Sequence, residues 1–350
     1  MKKLLIPILL FGLLFAQKGL EAQDRLFSQY YAAPLLLNPG LTGSFDGKYR
    51  IGANYRDQWR TVLDAPYRTS SISLESKFPL QNVFKFIRKD NLAIGLLFYS
   101  DKVGGVDFNT TQISLSLAYH KSLDDDNKHY LSIGFQGGIV QRNVNFEDFT
   151  FDDQFNGLDG YSFATEEELP SNNLAFSDYS TGLNYSFSPN RKMRIFLGGS
   201  YQHLFAPEQT FYDTEDGFSS NLFSKYNVQF SFSYAFTNQF TIIPRALAAF
   251  QGPHLEINAG SNFRLSISEY GGTALQFGGS YRLSSFEDGG IGSDSFIVMF
   301  GLETGGALIG LSYDFNVNDI STFQQGQRTF ELSVAYIGEY DSETILCPKF

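Results

Sequence analysis

The chain has 350 residues, 43% of them hydrophobic and only 18% charged, with 36 Phe, 20 Tyr and 33 Gly against one Cys, one Trp and four His. Such a composition suits pleated sheet rather than helix. A lone Cys347 excludes a disulfide scaffold, the net charge of -11 disfavours a nucleic-acid partner, and no apolar run after the amino terminus reaches the roughly 20 residues of a spanning helix, so membrane residence would be as a barrel.

In chain order, Lys2 and Lys3, the apolar residues 4–16 and the small Ala22 after Leu20-Glu21 read as a signal peptide over residues 1–22, cleaved near Ala22-Gln23. Its removal takes three of 26 basic and one of 37 acidic side chains, giving a net charge of -13. No Cys lies near the cleavage site to carry lipid.

From Tyr49 onward the dominant pattern has period two. Val228, Phe230, Phe232, Tyr234 and Phe236 share one face opposite Gln229, Ser231, Ser233, Ala235 and Thr237, and Ile113, Leu115, Leu117 and Tyr119 oppose Gln112, Ser114, Ser116 and His120. About 14 strands are predicted, using roughly 9–11 residues per membrane strand. They begin near Tyr49, Tyr67, Asn91, Thr110, Tyr130, Tyr179, Met193, Asn227, Phe240, Leu255, Ala274, Phe296, Leu308 and Thr329. The fold class is all-β, a transmembrane antiparallel β-barrel over residues 49–340 with a periplasmic tail at 341–350. An even strand count puts both termini in the periplasm. The connections at 144–177, 205–225, 284–295 and 316–328 then fall outside, as long loops should, and 188–190, 237–239 and 304–306 fall inside as short turns; 78–90 is long for an inner connection. A soluble sandwich also alternates, but Tyr119, Phe187, Tyr201, Phe236, Tyr281 and Tyr336 end the apolar faces as girdle residues do, and Arg245, Glu256 and Glu331 lie mid-strand on the opposite faces.

Enzymatic chemistry finds little support. His120 and His129 fall toward one rim and His203 and His254 toward the other, without metal-ligand spacing. The pairs Gly104-Gly105, Gly271-Gly272 and Gly289-Gly290 precede no helix, and the acidic runs 124–126 and 166–168 lack calcium-loop spacing. No catalytic, cofactor or metal site is expected. The inward face instead carries a polar network: Arg50, Asn54, Arg56, Gln58, Glu75, Arg194, Arg245, Glu256, Arg264, Arg282, Glu303, Asp314 and Glu331. It reads either as mutual salt bridging or as a socket for an inserted segment of the chain or of a partner. The loop 144–177 holds Phe146, Phe149, Phe151, Phe155, Tyr161 and Phe163 among acidic residues, a pattern of interface anchors; the alternative is a loop folded inward to close the pore.

Several strings resemble one family. Phe27-Ser28-Gln29-Tyr30, Asn38-Pro39-Gly40, Gly43-Ser44 and Asn54-Tyr55-Arg56-Asp57-Gln58-Trp59 at the amino end, with residues 310–317, Phe330-Glu331-Leu332-Ser333 and Cys347-Pro348-Lys349-Phe350 at the other, resemble the PorP/SprF family of type IX secretion outer-membrane proteins of Bacteroidota. That resemblance implies a non-enzymatic outer-membrane barrel, related in some members to gliding motility, that assists secretion or surface attachment of a cargo protein, often a large adhesin with a carboxyl-terminal sorting domain. Its expected partners are that cargo domain, other secretion components and the lipid bilayer. Residues 23–48 would form an ordered extended segment, either in the lumen or against the periplasmic rim, and Trp59 a girdle residue at the outer interface. The runner-up function is a passive porin or small-ligand transporter.

Overall fold

Leu115 is 49% exposed whereas its neighbour Ser116 is fully buried. The same inversion recurs around the molecule: Ile72, Ile133, Val228, Phe300 and Leu311 are exposed while Ser73, Ser132, Gln229 and Ser312 are buried. A soluble sandwich cannot leave that apolar face uncovered; a barrel in a hydrocarbon solvent must. The computed structural model describes residues 24–338 except 25, 61–62, 64, 81–88, 105–106, 147–148, 159, 212–220, 268–271, 286–289 and 318–327. The expected signal peptide, the tail at 341–350, Cys347-Pro348-Lys349-Phe350 and the residues Gly105, Gly271 and Gly289 lie outside the described residues.

Fourteen antiparallel strands close into one barrel in sequence order. They are β1 (Tyr49–Gln58), β2 (Tyr67–Pro79), β3 (Asn91–Val103), β4 (Phe108–Ser122), β5 (His129–Asn143), β6 (Asn173–Asn190), β7 (Met193–Gln202), β8 (Lys225–Ala235), β9 (Phe240–Gln251), β10 (His254–Ser266), β11 (Ala274–Ser285), β12 (Ile291–Thr304), β13 (Ala307–Asn316) and β14 (Arg328–Gly338). The seam pairs β1 with β14 from Tyr49↔Gly338 to Gln58↔Thr329, so no ladder edge is left open. The end where β1 starts and β14 finishes is here the terminal rim, and the other the far rim.

Six strand starts coincide with the alternation, and the other eight begin earlier. Two differences are large. β6 starts at Asn173 rather than Tyr179, because the polar stretch 173–178 continues pairing with β5 through Asn143↔Asn173 beyond the apolar band. β12 starts at Ile291 rather than Phe296. A register shift against β11 at Arg282/Leu283 skips Asp294, so the alternation breaks within the strand and hides its first half. Trp59, just past β1, adopts a φ of 65° and packs edge-on against Tyr67 with ring centres 5.3 Å apart.

With the outer face given to lipid, the packed core lies inside. Leu26, Tyr30, Leu37 and Leu41, all preceding β1, pack against Leu247 and Ala249 of β9. Residues 26–48 therefore run through the lumen. They form a short helical turn, α1 (Pro34–Leu37), flanked by 3₁₀ turns at Tyr30–Ala32 and Pro39–Leu41. Pro34 and Pro39 start their turns at positions where an amide would lack a helical partner.

Candidate functional site: a polar lumen filled by its own chain

The inward residues of the strands meet the amino-terminal segment in three successive places. Toward the far-rim ends of β13 and β14, the Ser28 and Gln29 backbone amides donate to the two carboxylate oxygens of Glu331 at 2.7 and 2.9 Å. The Ser28 hydroxyl donates to Asp314 at 2.5 Å and accepts from Arg282 at 3.1 Å. Arg282 also pairs with Asp294 at 2.5 Å and Asp314 at 3.1 Å, while Arg56 lies 3.3 Å from Glu331 and donates to the Leu26 carbonyl. The Gln29 side chain donates from Nε2 to Ser312 at 3.2 Å and accepts at Oε1 from Ser333 at 3.0 Å. Every charge in this cluster has an opposite partner, the condition under which buried ions are tolerable.

Further along, Asn38 donates to the Leu183 and Gly199 carbonyls at 3.0 and 3.2 Å and accepts from the Gly40 amide at 2.7 Å. This turn sits directly on the wall. A Cβ at Gly134 would lie 2.2 Å from the Pro39 backbone, and one at Gly182 would lie 1.9 Å from Asn38 Oδ1. Glycine in mid-strand here allows a second backbone to approach the sheet. Near the terminal rim, Thr42 meets Ser116 at 2.5 Å and its carbonyl lies 2.7 Å from His120 Nε2. The Gly43 amide donates to Glu75 at 2.9 Å, Arg50 pairs with Glu75 at 2.6 Å, and Lys77 donates to the Phe45 carbonyl at 2.7 Å.

Each lumen residue singled out from the sequence lies on an inward face, but the residues do not form one network. Asn54 bonds Ser71 at 3.2 Å, and Gln58 accepts from Arg56 at 3.1 Å. Arg264 pairs with Glu303 at 2.7 Å, and Arg194 lies 3.8 Å from Asp46 of the segment. Arg245 stacks over the Tyr31 ring at 4.1 Å, and Glu256 faces the lumen opposite Ala249 and Ser284 on adjoining strands. The loop aromatics lie apart from all of these. Phe146 and Phe149 are 5.9 Å apart, and Phe155 and Tyr161 5.4 Å apart. The Phe151 amide donates to Gln154 Oε1 at 2.9 Å and the Phe163 amide to the Gln154 carbonyl at 3.1 Å, and Phe155, Tyr161 and Phe163 are exposed.

The family whose description is type IX secretion system membrane protein PorP/SprF matches residues 19–336, nearly the whole chain. The chain belongs to the PorP/SprF family. No curated protein matches it. Similar solved structures include the Pseudomonas putida toluene transporter TodX, at 12% identity over 87% of this chain and 93% of that one with a TM-score of 0.47. A Pseudomonas aeruginosa FadL homologue shares 10% identity over 85% and 92% with a TM-score of 0.49. The chain is thus an outer-membrane barrel of the type IX secretion system.

In this PorP/SprF barrel the segment starts at the far rim. His203, at φ 56° just beyond β7, lies between Asp24 at 2.5 Å and Asp178 at 3.0 Å, and Lys225 is 3.9 Å from Asp24. Sequence reading placed His203 near that rim but missed its carboxylate partners, which come from 25 and 179 residues away. Burial alone would lower the imidazole pKa; Asp24 and Asp178 outweigh it and raise the pKa to about 9. The stabilisation from charged His203 is therefore complete below its ordinary 6.5 and lost as pH climbs through about 9. Hydrogen-exchange protection of the Asp24 amide, which donates to Gln251 at 2.9 Å, should fall across that window. The fall should vanish in His203→Gln; a pH profile shared by both proteins would refute the clamp.

Toward the terminal rim the segment leaves a vestibule of about 400 Å³, bounded by Tyr31, Phe45 and the inner walls of β1, β2 and β7–β14. Arg50, Arg191, Lys192, Arg194, Arg245 and Arg264 line it, against Glu303.

Proposed function

We propose that this barrel is a non-enzymatic anchor that holds a secreted cargo protein, such as a large adhesin, at the cell surface, with its terminal rim in the periplasm and its far rim outside. The observation that carries the reading is the occupied lumen. A barrel whose interior is hydrogen-bonded to its own chain from Ser28 to Gly43 is poorly arranged for a free passage. Binding is then left to its rims. Loop-length parity favours the stated orientation, because the long connections gather at the far rim. Phe155, Tyr161 and Phe163 stand exposed there among acidic residues, an arrangement that a merely solvating loop does not need. Cleavage of residues 1–22 would free the segment's amino end to enter the lumen.

Shortening residues 144–172 to a tight turn, which leaves β6 whole from Asn173, tests the reading. The barrel should stay folded and heat-modifiable on gels, because the deletion removes no lumen contact of the segment. Surface retention of the protein that co-purifies with the wild type should weaken by about thirtyfold or more, since aromatic anchors each contribute about 2 kcal/mol or more. Normal retention beside new channel activity would mean that the loop closes the pore instead.

A further inference from the structure

Arg245 differs from the lumen arginines around it. Arg50, Arg56, Arg264 and Arg282 each have a carboxylate within 3.3 Å, and Arg194 has one at 3.8 Å. Among the described residues Arg245 has none. Its Nε and Nη1 atoms are buried without a hydrogen bond, and the guanidinium stacks over the Tyr31 ring at 4.1 Å. A guanidinium does not shed its proton at physiological pH. Burying it without a counter-ion is costly, and the face of one ring offsets only part of that cost. An anion at this point would remove the deficit.

The surroundings indicate what kind of anion. Arg245 faces the vestibule, and Arg191 and Lys192, in the turn between β6 and β7, add two exposed positive charges at its mouth with no carboxylate at ion-pair distance among the described residues. The volume of about 400 Å³ is in the range of sites for sizeable ligands. Apolar side chains share the lining with these charges, including Tyr31, Phe45, Ile243, Met299, Leu308 and Ile337. A small, strongly hydrated oxyanion gains nothing from such a wall, whereas a peptide with alternating acidic and apolar side chains satisfies both. Among the described residues, the connections between β6 and β7, β8 and β9, and β12 and β13 at this rim are short, with two, four and two residues, and do not cover the vestibule.

We propose that the terminal-rim vestibule is a docking site for an acidic, apolar-flanked segment of a partner polypeptide, anchored by a carboxylate on Arg245. The proposal does not depend on how the far-rim loop is used. Purified full-length barrel in detergent is titrated against a fluorescein-labelled synthetic peptide alternating Glu with Phe and Leu, with binding read by anisotropy. The Glu peptide should bind at least about thirtyfold more tightly than its Gln counterpart, and Arg245→Met should remove about that advantage. Arg191→Gln with Lys192→Gln touches neither the segment nor a strand interior, and should weaken binding about two- to fivefold with the folded gel band unchanged. Equal binding of Glu and Gln peptides would overturn the proposal, as would wild-type affinity in folded Arg245→Met. If Arg245→Met does not fold, unchanged affinity in the Arg191/Lys192 variant has the same force. Displacement by inorganic phosphate, with no loss when Phe and Leu are replaced by Ser, would mean a plain oxyanion site and would also overturn it.

Discussion

Replacing residues 26–46 by a Gly-Ser linker is expected to turn a silent barrel into a conducting one. Fourteen strands enclose more space than side chains alone fill, since eight-stranded barrels are already just packed and those of 16 to 18 strands hold an aqueous channel. The excess is occupied by Leu26, Tyr30, Leu37 and Leu41 against β9, and by the Asn38-Pro39-Gly40 turn lying against Gly134 and Gly182. The wall itself is closed by ladder bonds from β1 to β14 and does not need the segment for its edges. In planar bilayers the wild type should show no stable openings and the linker variant discrete steps. Stable openings in the wild type would restore the porin reading, and a silent linker variant would mean that the rim loops, not the segment, close the passage.

How much of this was readable in the sequence depends on whether a feature is local. The strands were, because lipid on one side and a polar lumen on the other impose period two on adjacent residues, as Gln112 to His120 show. The alternation failed where a local device interrupts it, at the skipped Asp294, and where pairing continues beyond the apolar band, at Asn173. The path of residues 26–48 was not readable, because an extended segment has no period and its partners lie far away. Ser28 meets Glu331 across 303 positions and Asn38 meets Leu183 across 145. One local signal does mark the path. Gly134 and Gly182 occupy inward positions paired directly across β5 and β6, and mid-strand glycine marks a close backbone approach. The strings Phe27-Ser28-Gln29-Tyr30 and Asn38-Pro39-Gly40 carried the family resemblance, and the geometry gives them a physical reason: they are the residues that bond the segment to the wall.

Glu331→Leu is expected to release the segment while leaving the barrel closed. The carboxylate is 1% exposed, accepts the Ser28 and Gln29 amides and neutralises Arg56. Leucine fills similar space but leaves two amides and a guanidinium unpaired, a loss of about 3–5 kcal/mol for a broken buried pair. Because cleavage follows the population of the released form when opening is fast, chymotrypsin should cut among residues 27–45 about a hundredfold faster or more. Those sites are shielded in the wild type, where Phe27, Tyr30, Leu35, Leu37, Leu41 and Phe45 are all buried. Glu303→Gln is the matched control. Its bridge to Arg264 is partly exposed on both sides and touches no residue of the segment, so cleavage should stay within about fivefold of wild type. Equal cleavage in both variants would show that apolar packing, rather than the Glu331 anchor, keeps the segment in the lumen. A folded gel band lost in Glu331→Leu would show that the anchor instead supports the β1–β14 seam, where Arg56 and Glu331 stand directly opposite each other.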